Sequence, residues 1–279
     1  MEQAIQFSSD GLSLQGVMHV PDDAAGPHPA LILCHGFGGS CQGAGHPELA
    51  RTLEQAGYVA LRFDFRGCGK SEGTRGNVIC LEEVDDLRAA LNFLRTQANV
   101  DGTRIGIIGA SLGGSLAVHV AASDAMVKLC AAIGAIGNGE RRFRNQYRDP
   151  AAWQAFLDRV KEARRTKTPL NRFDIIQIPE RDRAGLPPGA VMEFTADTAL
   201  SLLDFSPEKA AGKIAPRPLL LLHARGDGVI SVAETNGLAA AAGANCESRI
   251  IESHEHFASG SPALARVLLD WLKRNMPAE

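Results

Sequence analysis

The stretch RIGIIGASLGGSLAVHVAA (104–122) decides the fold. Its first part is an apolar run of strand length. Its second is a run of small and apolar residues that suits a helix. The join between them reads Gly109-Ala110-Ser111-Leu112-Gly113. This is G-x-S-x-G in a strand–turn–helix context, where small residues let the backbone turn sharply and the helix pack closely on the strand. The turn exposes the Ser111 hydroxyl beside a helix N-terminus, whose amide N–H groups favour negative charge. A Gly-rich junction without chemistry has the same look, so the serine needs partners before it carries meaning.

Outward from this unit the same rhythm repeats. Apolar runs occur at 30–34, 58–63, 104–109, 129–136, 218–223 and 248–252, and helical patterns at about 46–56, 81–98, 111–122, 231–242 and 261–275. The strand-like runs are apolar throughout rather than alternating, which fits a parallel sheet covered on both faces. Alternating β and α units predict a doubly wound α/β fold, mostly parallel, with helices on both faces. Residues 4–20 alternate across Asp10-Gly11 and predict an antiparallel hairpin. Residues 138–205 break the rhythm. They are charged, locally Pro-rich and helical in the middle, and are read as a small helical cap inserted into a core of 1–137 and 206–279.

A serine hydroxyl needs a base. His254-Glu255-His256-Phe257 follows the last strand-like run and precedes the final helix. His256 is the preferred base, lying deeper in the loop, with His254 as the competitor. The imidazole in turn needs an acid to fix its tautomer, and Asp227 occupies the turn after LLLLHARG. The order Ser…Asp…His is the one this strand arrangement expects. Oxyanion donors are expected from the backbone N–H of Leu112 and from the loop His35-Gly36-Phe37-Gly38-Gly39. There Phe37 is the first choice and Gly38 the fallback. His35 reads as structural. The His-x-His pair has no third ligand at metal spacing, so neither metal nor cofactor is expected.

Several classes are excluded or disfavoured. A net charge of −3 gives no general reason to expect nucleic acid or an anionic membrane as partner. No run approaches the roughly 18 apolar residues of a membrane span. The N-terminus lacks the pattern of a secretory leader, and six scattered cysteines (34, 41, 68, 80, 130, 246) suit a cytoplasmic protein. Gly69-Lys70-Ser71 ends like a phosphate-binding loop, but Asp64 stands where its first glycine should be. No G-x-G-x-x-G follows a strand.

The set HGFGG (35–39), DFRGCGKSEG (64–73), GASLGG (109–114), the Asp227 turn and HEHF (254–257) resembles the α/β-hydrolase superfamily, in the family's order and over nearly the whole chain outside the cap. The nearest flavour is bacterial esterase, acyl-peptidase-like and lysophospholipase-like hydrolases. The resemblance implies cofactor-free hydrolysis of a small acyl substrate, carboxylic esters first. Amide, thioester, acyl-transfer or C–C chemistry forms the alternative, and a non-catalytic capped-pocket receptor the distant third. DFRGCGKSEG resembles the family's D-x-R-G-x-G-x-S loop beside the active site, whereas HEHF lacks the Gly usual before the histidine. A homodimer is left open. In the cap, nine Lys/Arg between 141 and 167 would either attract an anionic substrate or form a solvated face. Phe143, Tyr147, Trp153, Phe156 and Leu157 would line a pocket or form the cap's own core.

Overall fold

The hairpin forms as β1 (Glu2–Ser9) and β2 (Leu12–His19), in register from Glu2↔His19 to Ser9↔Leu12. Asp10 and Gly11 turn with φ of 47° and 80°. Two positive φ values make the turn whose twist matches the flanking strands. The structure, a computed structural model, describes residues 1–22, 26–43, 45–186, 188–253, 256 and 261–278.

The chain then alternates through β3 (His28–Cys34), α1 (His46–Gln55), β4 (Val59–Phe63), α2 (Cys80–Arg95), β5 (Val100–Ala110), α3 (Leu112–Ser123) and β6 (Val127–Ile133). The next stretch holds α4 (Gly139–Gln146), α5 (Pro150–Thr166), β7 (Leu170–Asn171), α6 (Arg172–Ile175), α7 (Glu180–Arg183), β8 (Glu193–Phe194) and α8 (Ala196–Asp204). It closes with α9 (Glu208–Ala211), β9 (Leu219–Ala224), α10 (Val232–Ala242), β10 (Cys246–Ile251) and α11 (Pro262–Asn275). Eight strands make one sheet in the order β1-β2-β4-β3-β5-β6-β9-β10, antiparallel from β1 to β4 and parallel beyond.

The doubly wound architecture is visible residue by residue. Ala30, Ile32 and Cys34 of β3 join the core that includes Leu87 and Leu91 of α2 and Leu116 and Val120 of α3. Leu31 and Leu33 face the other way, into a core with Leu49 and Leu53 of α1 and Leu268, Trp271 and Leu272 of α11. Both faces of the strand are dry, which is why its sequence does not alternate.

Several boundaries differ from expectation: β5 begins at Val100 rather than 104, α2 ends at Arg95 rather than about 98, and β10 begins at Cys246 rather than 248. The run 129–136 ends its strand at Ile133, because Gly134 turns with φ of 55°. Ala135 and Ile136 stay apolar because they are buried in the loop that follows.

Between β6 and β9 the helices are capped locally. Asn138, Asp149 and Thr195 each accept a backbone N–H at a helix start, and Pro150 takes the first turn of α5. Phe156 stacks on Phe143 and Tyr147 at centroid distances of 5.0 and 4.6 Å, with Trp153 at 5.9 Å. These aromatics pack on one another rather than standing apart, and Phe143 and Phe156, both buried, join the same apolar cluster as Leu87 and Leu116. Six of the nine basic residues are ion-paired: Arg141 with Glu208 and Glu234, Arg144 with Glu140, Arg159 with Asp174, Lys161 with Asp158, Arg164 with Asp197 and Arg165 with Glu162. The run is largely neutralised within the protein, which favours the solvated face over attraction of anions.

Candidate active site

Ser111 sits between β5 and α3 at φ 53° and ψ −123°, a conformation L-residues adopt only under constraint. The constraint is visible. Its N–H donates to Ile133 C=O at 2.8 Å, and its own C=O accepts the Gly114 N–H at 3.0 Å. A Cβ on Gly113 would lie 2.4 Å from the Cys34 and His35 carbonyl oxygens, and one on Gly109 would lie 2.2 Å from the Gly113 oxygen. Glycine at both positions lets α3 press onto the sheet and drives the turn. The result lifts Ser111, half-buried, above the carboxyl end of β5.

The residues expected as acid and base, Asp227 and His256, follow the two strands β9 and β10. Asp227 follows β9, and its Oδ2 accepts the His256 Nδ1–H at 2.7 Å. Its other oxygen, Oδ1, accepts the N–H groups of Val229 (2.8 Å) and Ile230 (2.9 Å). Burial works against the carboxylate, yet the His256 hydrogen bond and these two amides hold its pKa below the usual aspartate value. Donation from Nδ1 fixes the tautomer in which Nε2 carries the lone pair. The pair lies over Gly134, where a Cβ would be 3.5 Å from both Asp227 Oδ2 and the His256 ring. Gly134 adjoins the Ile133 carbonyl that holds Ser111, so a single turn supports all three groups. His254 lies outside the described residues.

Sequence reasoning missed a brace behind this pair. His223, at the end of β9, donates from Nε2 to the Ile230 carbonyl at 3.0 Å and accepts the Thr235 hydroxyl at Nδ1 at 2.7 Å. Burial lowers its pKa, so it stays neutral and pins the turn that presents Asp227. In the sequence it reads only as the last residue of LLLLH.

The loop 35–39 follows β3. His35 is buried; its Nδ1–H donates to the Gly36 C=O at 2.8 Å and its Nε2 accepts the Phe65 N–H at 3.1 Å. Burial brings its pKa down to about 4, which makes it a neutral structural residue. Among the described residues, the N–H groups of Phe37, Gly38 and Leu112 donate to no protein acceptor. A Cβ on Gly36 would crowd the Ser111 Cβ at 3.1 Å, so this loop passes directly over the serine.

The 64–73 loop is a scaffold beside it. Asp64 accepts the Cys41 N–H at 2.7 Å and the Lys70 N–H at 2.9 Å, and Arg66 grips the buried Asp86 through Nε and Nη2. Five of the six thiols are buried, and burial raises all six pKa values, to about 12 for Cys41 and about 11 for Cys246. Among the described residues no three His, Cys, Asp or Glu gather as a metal site, and no helix is long and apolar enough to cross a membrane.

The profile of the serine aminopeptidase S33 family matches residues 25–258, which run from β3 through the His256 loop. The chain belongs to this family of α/β hydrolases. The fold is shared widely. The crystal structure of the α/β hydrolase GrgF from Penicillium sp. sh18 superimposes with a TM-score of 0.78 at 20% identity over 99% of both chains. Est1E from Butyrivibrio proteoclasticus, solved with ferulic acid bound, gives 0.74 at 19% identity over 98% of this chain and 99% of that one. Thiohydrolase apmlB of Arthrinium phaeospermum is 32% identical over 135 residues, covering 48% of this chain and 43% of its own. The matches span less than half the length of such curated relatives.

Proposed function

We propose that the protein is a serine hydrolase in which Ser111 is the nucleophile, His256 the general base and Asp227 the acid that orients it. The observation that carries this reading is the 2.7 Å His256–Asp227 hydrogen bond, doubly anchored at the far carboxylate oxygen and sharing one supporting turn with a serine held at positive φ. Such strain is retained where the surrounding structure uses it.

In the proposed reaction, Ser111 Oγ attacks an acyl carbonyl carbon as its proton passes to His256 Nε2. The tetrahedral oxyanion is held by the N–H groups of Phe37 and Leu112, the latter at the N-terminus of α3. As the C–O bond to the leaving group breaks, that group takes the proton from His256 and departs as an alcohol. Water then attacks the acyl-enzyme, giving a proton to His256. The proton returns to Ser111 as the acid is released. Residues 138–205 serve as the cap over this site.

Carboxylic esters are the first substrate class. Thioesters are the second reading, favoured by the similarity to a thiohydrolase. The test is hydrolysis of p-nitrophenyl esters from acetate to decanoate against matched thioesters, with wild type, Ser111→Ala, His256→Ala and His254→Ala. Loss of about 10⁴–10⁶-fold in kcat for Ser111→Ala, matched by His256→Ala and not by His254→Ala, is expected. Full activity in Ser111→Ala would end this assignment.

A further inference from the structure

Arg172, at the start of α6, is an arginine with no carboxylate partner among the described residues. It is 4% exposed, no ion pair to it occurs among the described residues, and burial lowers its pKa to about 10. Its Nε is buried with no hydrogen-bond partner. Burying a guanidinium on these terms is costly, so its position calls for a reason.

Its contacts supply one. Nη2 donates to the Phe37 carbonyl and Nη1 to the Val191 carbonyl at 2.6 Å. The guanidinium lies 5.3 Å from the Phe37 ring centre and 5.8 Å from that of Phe194, and the two rings stack at 4.2 Å. The Val191 N–H donates to the Gly38 carbonyl at 2.9 Å, so the same residue that receives Arg172 also grips the loop. Gly38 has φ of 51°, and a Cβ there would meet Phe194 at 2.7 Å and Arg172 at 3.2 Å. The fit leaves the loop no slack.

We infer that Arg172 is a positioning residue that, from the segment between β6 and β9, fixes Phe37, whose N–H is the proposed oxyanion donor, and orients the neighbouring Gly38 N–H, the loop's alternative donor. The inference rests on the oxyanion role proposed for that loop. In a trans peptide the C=O and N–H point in opposite directions, so holding the oxygen aims the hydrogen. The Gly36 oxygen is held within the loop, by His35 Nδ1–H at 2.8 Å and Gly39 N–H at 3.0 Å, which orients the Phe37 N–H. The Phe37 oxygen is held by Arg172, which orients the Gly38 N–H. Phe37 is thereby fixed from both sides. The buried positive charge also polarises the Phe37–Gly38 peptide in the sense that strengthens the Gly38 N–H, the loop's alternative donor.

The test compares wild type, Arg172→Met and Arg172→Lys, with Ser111→Ala as control and thermal melting as the check of folding. The readouts are kcat and KM on p-nitrophenyl butyrate and the Ki of an alkyl trifluoromethyl ketone, whose serine adduct carries an oxyanion. Arg172→Met should lose about 10–100-fold in kcat with KM within about 3-fold, and the ketone should weaken by the same factor. Arg172→Lys, which keeps the charge and reaches one carbonyl, should recover part of both. It also carries the test alone if the Met variant does not fold, with an expected loss of about 3–10-fold. A kcat within about 2-fold of wild type, or a loss confined to KM with ketone affinity unchanged, overturns the inference. An enzyme that depends on Ser111 and ignores Arg172 leaves the hydrolase reading standing, whereas an active Ser111→Ala removes both.

Discussion

Replacing Asp227 with Asn tests the proposed site at its most constrained atom. The side chains are isosteric, so only the identity of one terminal group changes. Asn must choose which end faces His256. Turning its NH₂ toward Val229 and Ile230 would set donor against donor at two buried amides that now bond at 2.8 and 2.9 Å. At about 1–3 kcal/mol for each unsatisfied group, that orientation is disfavoured by about 2–6 kcal/mol, or at least 30-fold. The Asn oxygen therefore stays on the two amides and its NH₂ faces His256 Nδ1. That nitrogen must then accept, the ring proton moves to Nε2, and the lone pair that would take the Ser111 proton is gone. Activity should fall by about 10⁴-fold in kcat. Stability should barely change, because both amide bonds survive. Asp227→Ala supplies the contrast: it should be equally inactive but less stable by about 2–6 kcal/mol, since both amides lose their acceptor. The assay is kcat on p-nitrophenyl butyrate beside the urea midpoint for each variant. If folded Asp227→Asn keeps more than about a tenth of wild-type activity, or if Asp227→Ala matches its stability, the argument from the doubly anchored oxygen is wrong.

Ser111→Gly should be inactive yet more stable by about 1 kcal/mol, because relief of about 1–3 kcal/mol of strain exceeds the chain-entropy cost of glycine. Differential scanning calorimetry should show a Tm about 2–4 °C higher, and a Tm at or below that of wild type refutes the strain. Glu83 is buried, and burial, then repulsion from Asp86, raises its pKa well above the normal value. The folded state therefore holds this proton above the unfolded pKa, and the stability this one group contributes is fully present below about pH 4.5 and is lost as pH rises toward the folded pKa. Glu83→Gln should accordingly match wild type near pH 5 and gain on it steadily toward pH 8.5. A Tm difference that stays flat across that range contradicts the assignment. Arg66→Met removes the guanidinium from the fully buried Asp86 carboxylate, which keeps the backbone N–H of residue 66, and should cost about 3–5 kcal/mol, with part recovered in Arg66→Met/Asp86→Asn; a loss under about 1 kcal/mol in denaturant titrations would show that the backbone N–H suffices.

What could be read from the sequence was local or periodic. Strand β3 announces itself because all seven of its residues are buried on a sheet with two dry faces. The elbow announces itself because Gly109 and Gly113 cannot carry a Cβ. The end of β6 was not legible, since Ala135 and Ile136 are as buried as the strand before them and only the conformation of Gly134 marks the turn. The aromatics of α4 and α5 have the same helical spacing whether they line a pocket or pack on one another. Only their mutual stacking distinguishes the two. Arg172 and His223 left no signal at all. Arg172 acts through the backbone carbonyls of Phe37 and Val191, and His223 through the Ile230 carbonyl and the Thr235 hydroxyl; a carbonyl has no letter in the sequence, and a threonine does not announce its partner.

That asymmetry bears on where substrate choice resides. The floor of the proposed site is saturated. Gly36 abuts Ser111, Gly113 abuts two carbonyl oxygens of the β3 end, and Gly38 abuts Phe194 and Arg172. A side chain at any of these positions would displace the backbone that aims the donors. The groups that would perform chemistry are thus held by contacts that tolerate little change, and a floor of this kind treats an ester and a thioester carbonyl much alike. Discrimination between them has to come from what surrounds the leaving group. On the proposed role of residues 138–205 as the cap, that discrimination falls to the segment between β6 and β9, which is tied to the floor at Arg172 and Val191. Substitutions on its inward surface can then alter substrate preference without disturbing the oxyanion loop, provided those two ties remain.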